Sequence, residues 1–371
     1  MGVLRISKLD GLRGILALMI LVFHYQQLME LFHPDVLQLP EWLYQNPWIN
    51  EWYSVVDFFF VLSGFVIAYN YETSLVVLDD FNYFIKKRLL RLYPLMLFTG
   101  ITYLVFYVSF IWNYPQFYIT VDPISHILFR FLDLLSLANA TPIMGNNGPL
   151  NPPSWSISAE MVCYLIFGLF SVTPFKKYSY YFFAVIGAGA VIFCIYTGTF
   201  FYYSDFGFVR ALINFILGCC VFRHYKKYPE LKIGNYWELM FLVYLTGLIY
   251  FIHSFEDESV TKELIALVLV PTSYAVILRI FLATKGVLTS FFENRLMQFL
   301  GKISYSVYLT HYLWIQLIPI TLFYILEIEQ TPINHILVLL LTISFVIGYS
   351  NLTYSFVELS FTRRIKALFR F

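Results

Sequence analysis

Residues 12–31 read Leu12-Arg13-Gly-Ile-Leu-Ala-Leu-Met-Ile-Leu-Val-Phe-His24-Tyr-Gln-Gln-Leu-Met-Glu-Leu31, a mostly apolar run that is long enough to cross a bilayer. A helical span needs about 20 such residues to cover about 30 Å of hydrocarbon. Outward from this stretch the pattern repeats. Nine further segments of the same kind lie at about 53–71, 92–112, 155–173, 180–199, 207–223, 237–253, 264–282, 303–324 and 335–357. The composition agrees: 59% of the 371 residues are hydrophobic, 13% are charged, and the mean hydropathy is +0.69. About a quarter of an ordinary soluble domain is charged. A soluble enzyme, a disordered chain and a secreted disulfide scaffold are excluded. The expected fold is all-α, a polytopic bundle of about ten transmembrane helices forming a single domain over 1–371.

The net charge of +1 lacks the basic excess of a nucleic-acid binder. Cys163, Cys194, Cys219 and Cys220 sit in apolar runs without ligand spacing, so neither disulfides nor a metal is indicated. Arg5 and Lys8 flank a full-length first span, and a cleavable leader is not expected. With both termini cytoplasmic, all of the 24 Lys and Arg residues except Arg130, Arg210 and Lys262 fall on the inner side. That is the bias of the positive-inside rule. The longest outer loop, about 113–154, carries an amphipathic stretch at 122–138 that suits a helix lying on the outer interface. It ends in a turn-forming run at 145–153.

Ionisable side chains at membrane depth are costly and mark candidate sites. Arg13 and His24 are eleven residues apart, about three turns, so they share one stripe about 16 Å long. Asp57 in the second span and Glu160 in the fourth fall at a depth similar to His24, which suggests a shared layer. A carboxylate there needs a cationic partner. Arg210 enters from the same side, as a partner or as an interfacial anchor. Arg88 and Arg91 form an i, i+3 guanidinium pair at the inner face that suits phosphate, beside the plainer reading of a topological cluster. Ser304, Tyr308 and His311 make one polar stripe on the ninth span, and Ser63, Trp155, Ser158 and Tyr164 complete the expected lining.

Five segments in order resemble the acyltransferase family 3 of integral membrane acyltransferases. They are Leu9-Asp10-Gly11-Leu12-Arg13-Gly14 with the spacing to His24, Val56-Asp57 through Ser63-Gly64-Phe65, and Arg88-x-x-Arg91-x-x-Pro94. Ser154-Trp155-Ser156-x-Ser158-x-Glu160 through Tyr164, and Ile303-Ser304-Tyr305 through His311, follow. The resemblance implies an O-acyltransferase that takes acetyl from acetyl-CoA, with no tightly bound cofactor. The acceptor it implies is a hydroxyl of a cell-surface carbohydrate or its lipid-linked precursor, at a bacterial inner membrane. It also implies the stand-alone form of the family. On that basis Arg13, Arg88 and Arg91 are expected to hold the acyl-CoA, and His24 to act as base with Asp57 or Glu160 orienting it. A two-step route through an acylated His24 or Ser63 stays open, and Tyr308 or Trp155 are candidate oxyanion donors. The competing reading is a transporter or flippase of a sugar or lipid-linked intermediate, against which stands the lack of repeated halves.

Overall fold

A computed structural model of the protein describes residues 6–144, 148–254, 260–361 and 363–364. All regular elements among these residues are helical. In chain order the long ones are α1 (Ser7–Gln26), α2 (Val55–Tyr71), α3 (Leu78–Phe106), α4 (Ile124–Ser136), α5 (Ser154–Ser171) and α6 (Ser179–Thr197). They continue with α7 (Gly207–Lys227), α8 (Tyr236–His253), α9 (Val260–Ala283), α10 (Arg295–Pro319) and α11 (Pro332–Thr353). Among the described residues nine helices are long and apolar enough to cross a membrane, namely all of these except α1 and α4. Helix α1 is 20 residues long, and Lys8, Asp10 and Arg13 in its first two turns lower its hydropathy. Each of the ten expected segments thus coincides with one long helix. Residues 145–147 of the expected turn, and Arg5, Lys366 and Arg370 of the inner-side charges, lie outside the described residues.

One boundary moves far. Helix α3 begins at Leu78 rather than near 92, because the basic stretch Lys86–Arg91 continues the helix instead of ending it. Arg88 and Arg91 are therefore fixed on a rigid element. Helix α4 has 13 residues, too short to span, and buries Ile127 and Leu134 while Leu128, Phe129 and Leu132 face outward. An apolar outer face on a short helix suits the membrane interface.

Helix α1 occupies the centre, with Ala17, Ile20 and Leu21 wholly buried, and runs along α10. Lipid tails are as apolar as leucine, so helices in a bilayer associate through close packing rather than through hydrophobic contrast. Glycine makes that approach here. A Cβ on Gly301 would stand 2.1 Å from the Asp10 carbonyl oxygen, and one on Gly14 would stand 2.7 Å from the Gly301 nitrogen. The crossing fixes a register: His24 lies ten residues beyond Gly14, and His311 ten residues beyond Gly301. Both helices run outward from the crossing, so equal rises of about 15 Å bring the two rings to one level. A second crossing of this kind joins α2 to α7, where a Cβ on Gly64 would meet the Phe215 carbonyl oxygen at 2.0 Å.

Candidate functional site

The two imidazoles meet as that register requires. His24 Nδ1 lies 2.8 Å from His311 Nε2, and the rings stack at 5.0 Å between centroids. His311 Nδ1 lies 3.1 Å from the Val307 carbonyl oxygen, which only accepts. In a neutral His311 the proton is therefore on Nδ1, and Nε2 is an acceptor. His24 must then donate from its own Nδ1, which leaves His24 Nε2 unprotonated, with a lone pair that can take a proton. The tautomer follows from the chain of hydrogen bonds. Tyr312 stands edge-on to His24 at 5.3 Å, and Phe23 joins it to Tyr53.

Inward of this pair lies a chamber of about 120 Å³ whose walls include Arg13, Ser63, Arg88, Arg91, Glu160 and Tyr164. Tyr308 closes its outward end, with its ring 6.2 Å from His311 and its hydroxyl 2.9 Å from Ser156 Oγ. The inward side shares Arg13, Arg88, Arg91, Ser304 and Tyr305 with a wider vestibule of about 480 Å³. Five basic side chains line that vestibule (Arg13, Lys87, Arg88, Arg91 and Lys302) against two acidic ones, Asp10 and Glu358. Arg88 is 8% exposed and donates from Nη2 to Tyr71 OH at 2.8 Å, while its guanidinium lies over the Tyr71, Phe84 and Tyr164 rings. Its buried Nε has no partner among the described residues. A guanidinium with a free donor, held by aromatic faces in a cationic cavity, is an anion-binding arrangement. Arg13 Nη1 lies 3.8 Å from Asp10 Oδ1 one turn earlier.

The expected common layer of His24, Asp57 and Glu160 does not form. Asp57 is fully buried and bound twice by Arg210, at 2.7 Å from Nε and 2.8 Å from Nη2, with Asn214 Nδ2 adding a third bond at 2.9 Å. Arg210 also donates to the Tyr53 carbonyl and lies over Trp155 and Phe201. This is a desolvated ion pair with its hydrogen bonds satisfied, tying α2 to α7. Neither partner touches His24, whose orienting neighbour is His311. Glu160 instead accepts from Ser63 Oγ and Tyr164 OH inside the chamber.

Ser158, Trp155 and Arg210, expected to line the site, take other places. Ser158 Oγ donates to the Leu137 carbonyl and accepts from Ala140 N at 3.2 Å, and Ser154 accepts from Asn139 at 2.7 Å. These two serines hold the segment after α4 against the start of α5. Helical period explains the division: Ser154 and Ser158 are four apart on one face, while Ser156, Glu160 and Tyr164 share the opposite one. Ser156 was thus legible from the period as a chamber residue. Tyr71, the hydroxyl partner of Arg88, was not legible, because a tyrosine in an aromatic-rich chain carries no signal of its own.

A family model described as an acyltransferase domain matches residues 6–355. The chain is also 30% identical over 168 residues to "Protein 2 in picA locus" of Rhizobium radiobacter, covering 43% of this chain and 78% of that protein. No solved structure matches it. The helical bundle and the near-complete match to the family agree, and the chain belongs to the membrane-embedded acyltransferase family 3.

Proposed function

We propose that the protein transfers an acyl group, acetyl from acetyl-CoA, to a hydroxyl of a cell-surface carbohydrate or its lipid-linked precursor at a bacterial inner membrane. The observation that carries this reading is the pair of adjoining cavities with Arg13, Arg88 and Arg91 between them, cationic at the inner side and ending one helical turn below the His24–His311 pair. A cytoplasmic acyl-CoA is anionic at one end and reactive at the other. Its phosphates suit Arg13, Arg88 and Arg91. The arm must then bridge about 16 Å to His24, the axial distance from Arg13 at 1.5 Å per residue.

His24 Nε2 would take the proton of the acceptor hydroxyl as that oxygen attacks the thioester carbon. The charged imidazole keeps its Nδ1–H bond to His311, a neutral ring standing where a triad would have a carboxylate. The C–O bond forms, the C–S bond breaks, and the leaving thiolate recovers the proton from Nε2. Ser63 is engaged with Glu160 and Tyr164 and, among the described residues, makes no hydrogen bond to either histidine, which favours the direct route over a seryl intermediate. The test is transfer of radiolabelled acetyl from acetyl-CoA to glycan by the purified protein in liposomes. Label in the glycan with stoichiometric release of free thiol supports the proposal. Binding of acetyl-CoA with no thiol released in the presence of acceptor refutes it.

A further inference from the structure

Glu160 is left without a role by the chemistry above, yet it faces the donor chamber from its middle. Both hydroxyls that bind it, Ser63 Oγ and Tyr164 OH, fall on Oε1, and they lie 3.0 Å from each other. No described residue bonds Oε2, and none of the three arginines of the chamber comes within ion-pair distance of the carboxylate. A carboxylate oxygen in a polar chamber with no protein donor is an acceptor that suits a ligand N–H or O–H.

Its depth narrows the choice. Glu160 is four residues, about 6 Å, inward of Ser156, and Tyr308 is three residues, about 4.5 Å, inward of His311. Since Ser156 and Tyr308 bond each other, Glu160 lies about 10 Å inward of the histidine pair, by the same rise. Tyr164, beneath the Arg88 guanidinium, is about 6 Å further in. A pantetheine thioester has two amides between its sulfur and its phosphate. An extended chain advances about 1.25 Å per bond. The N–H of the amide farther from sulfur, seven bonds along, is then about 9 Å from it, and the phosphorus follows about 7.5 Å later. The rise of about 10 Å from the histidine pair to Glu160 is close to the distance of about 9 Å from sulfur to that N–H, and the Arg88 guanidinium, over the Tyr164 ring, stands on the phosphate side of the carboxylate.

We infer that Glu160, held by Ser63 and Tyr164, accepts the N–H of that amide and sets how far the donor arm advances, so that the thioester stops at His24. Glu160 is then a specificity-determining residue for pantetheine thioesters. This rests on the acyl-CoA reading.

Three donors separate the two claims: acetyl-CoA, S-acetylpantetheine with both amides and no phosphate, and S-acetyl-N-acetylcysteamine, which lacks the distal amide. Glu160→Ala should reduce the preference in kcat/KM for S-acetylpantetheine over S-acetyl-N-acetylcysteamine by about 10- to 100-fold, the loss of one charge-assisted hydrogen bond. Ser63→Ala should move the ratio the same way by less. Arg88→Ala should instead lower acetyl-CoA relative to S-acetylpantetheine. An equal loss on both phosphate-free donors in Glu160→Ala would overturn the assignment, since damage to the chemistry or the fold ignores the distal amide. An unchanged ratio would overturn it as well. If the wild-type protein turns over none of the three donors, the acyl-CoA reading itself fails.

Discussion

His311→Phe isolates the contribution of the histidine pair. The substitution keeps an aromatic ring at the α1–α10 contact but removes the acceptor 2.8 Å from His24 Nδ1. His24 is then free to move its proton to Nε2, the atom required as base, or must keep an unsatisfied donor in a buried place. Leaving a buried donor without its partner costs about 1–3 kcal/mol. Spent in the step where His24 becomes charged, that is about a 5- to 150-fold loss in rate. The assay is thiol release from acetyl-CoA under saturating acceptor, with yield and thermal stability in detergent checking the fold. The kcat should fall within this range while the KM for acetyl-CoA stays near its wild-type value, because His311 lies beyond the anion end of the cavity. His311→Gln, which retains an acceptor, should recover part of the loss. A His311→Phe protein with full kcat, or one whose only change is a raised KM, would refute the tautomer argument.

Arg88→Ala should raise the KM for acetyl-CoA about tenfold or more with kcat little changed, through the loss of charge-assisted contacts to phosphate; titration against acetyl-CoA at fixed ionic strength checks it. Asp57→Asn should behave as a stability variant. It leaves Arg210 buried without its counter-charge at a cost of about 3–5 kcal/mol, visible as low yield and a lowered thermal midpoint, whereas selective loss of kcat in a stable protein would return Asp57 to the chemistry. Asp133 on α4 is 3% exposed, and burial together with the charge of Asp205 pushes its carboxyl up to about 6. The folded protein thus holds this proton more tightly than the unfolded chain, so the stabilisation is present in acid and is lost as pH rises from about 4 through about 6. Asp133→Asn should accordingly raise the thermal midpoint above pH 6 and match the wild type near pH 4; the same difference at both pH values would show that the carboxyl titrates normally.

Much of the architecture was open to reading in the sequence because hydrocarbon imposes length and low charge on every span. The ten segments and the Arg13–His24 stripe follow from those constraints alone. Depth, however, is only one coordinate. Asp57, Glu160 and His24 were grouped by depth; Glu160 lies about 10 Å inward of the histidines, and which way Asp57 points around the bundle depends on helix neighbours, which are set by glycine crossings. The equal ten-residue offsets of His24 from Gly14 and His311 from Gly301 encode their meeting, but only once α1 and α10 are known to cross at those glycines. The start of α3 was misplaced because a hydropathy reading stops at charges, whereas a helix does not. Within the Ser154–Tyr164 segment the opposite holds. Its four-residue period separates the serines of the outer segment from the chamber face, a division open in the sequence that the expected lining, with Ser158 beside Tyr164, did not draw.

The most direct test of the central claim is the rate of acetyl-CoA thiol release by purified His24→Ala in liposomes containing acceptor glycan, measured beside the wild type. The wild type should release one thiol for each acetyl ester formed, and His24→Ala none above the uncatalysed rate while still binding acetyl-CoA. Thiol release by His24→Ala at the wild-type rate, with ester formed, would contradict that claim.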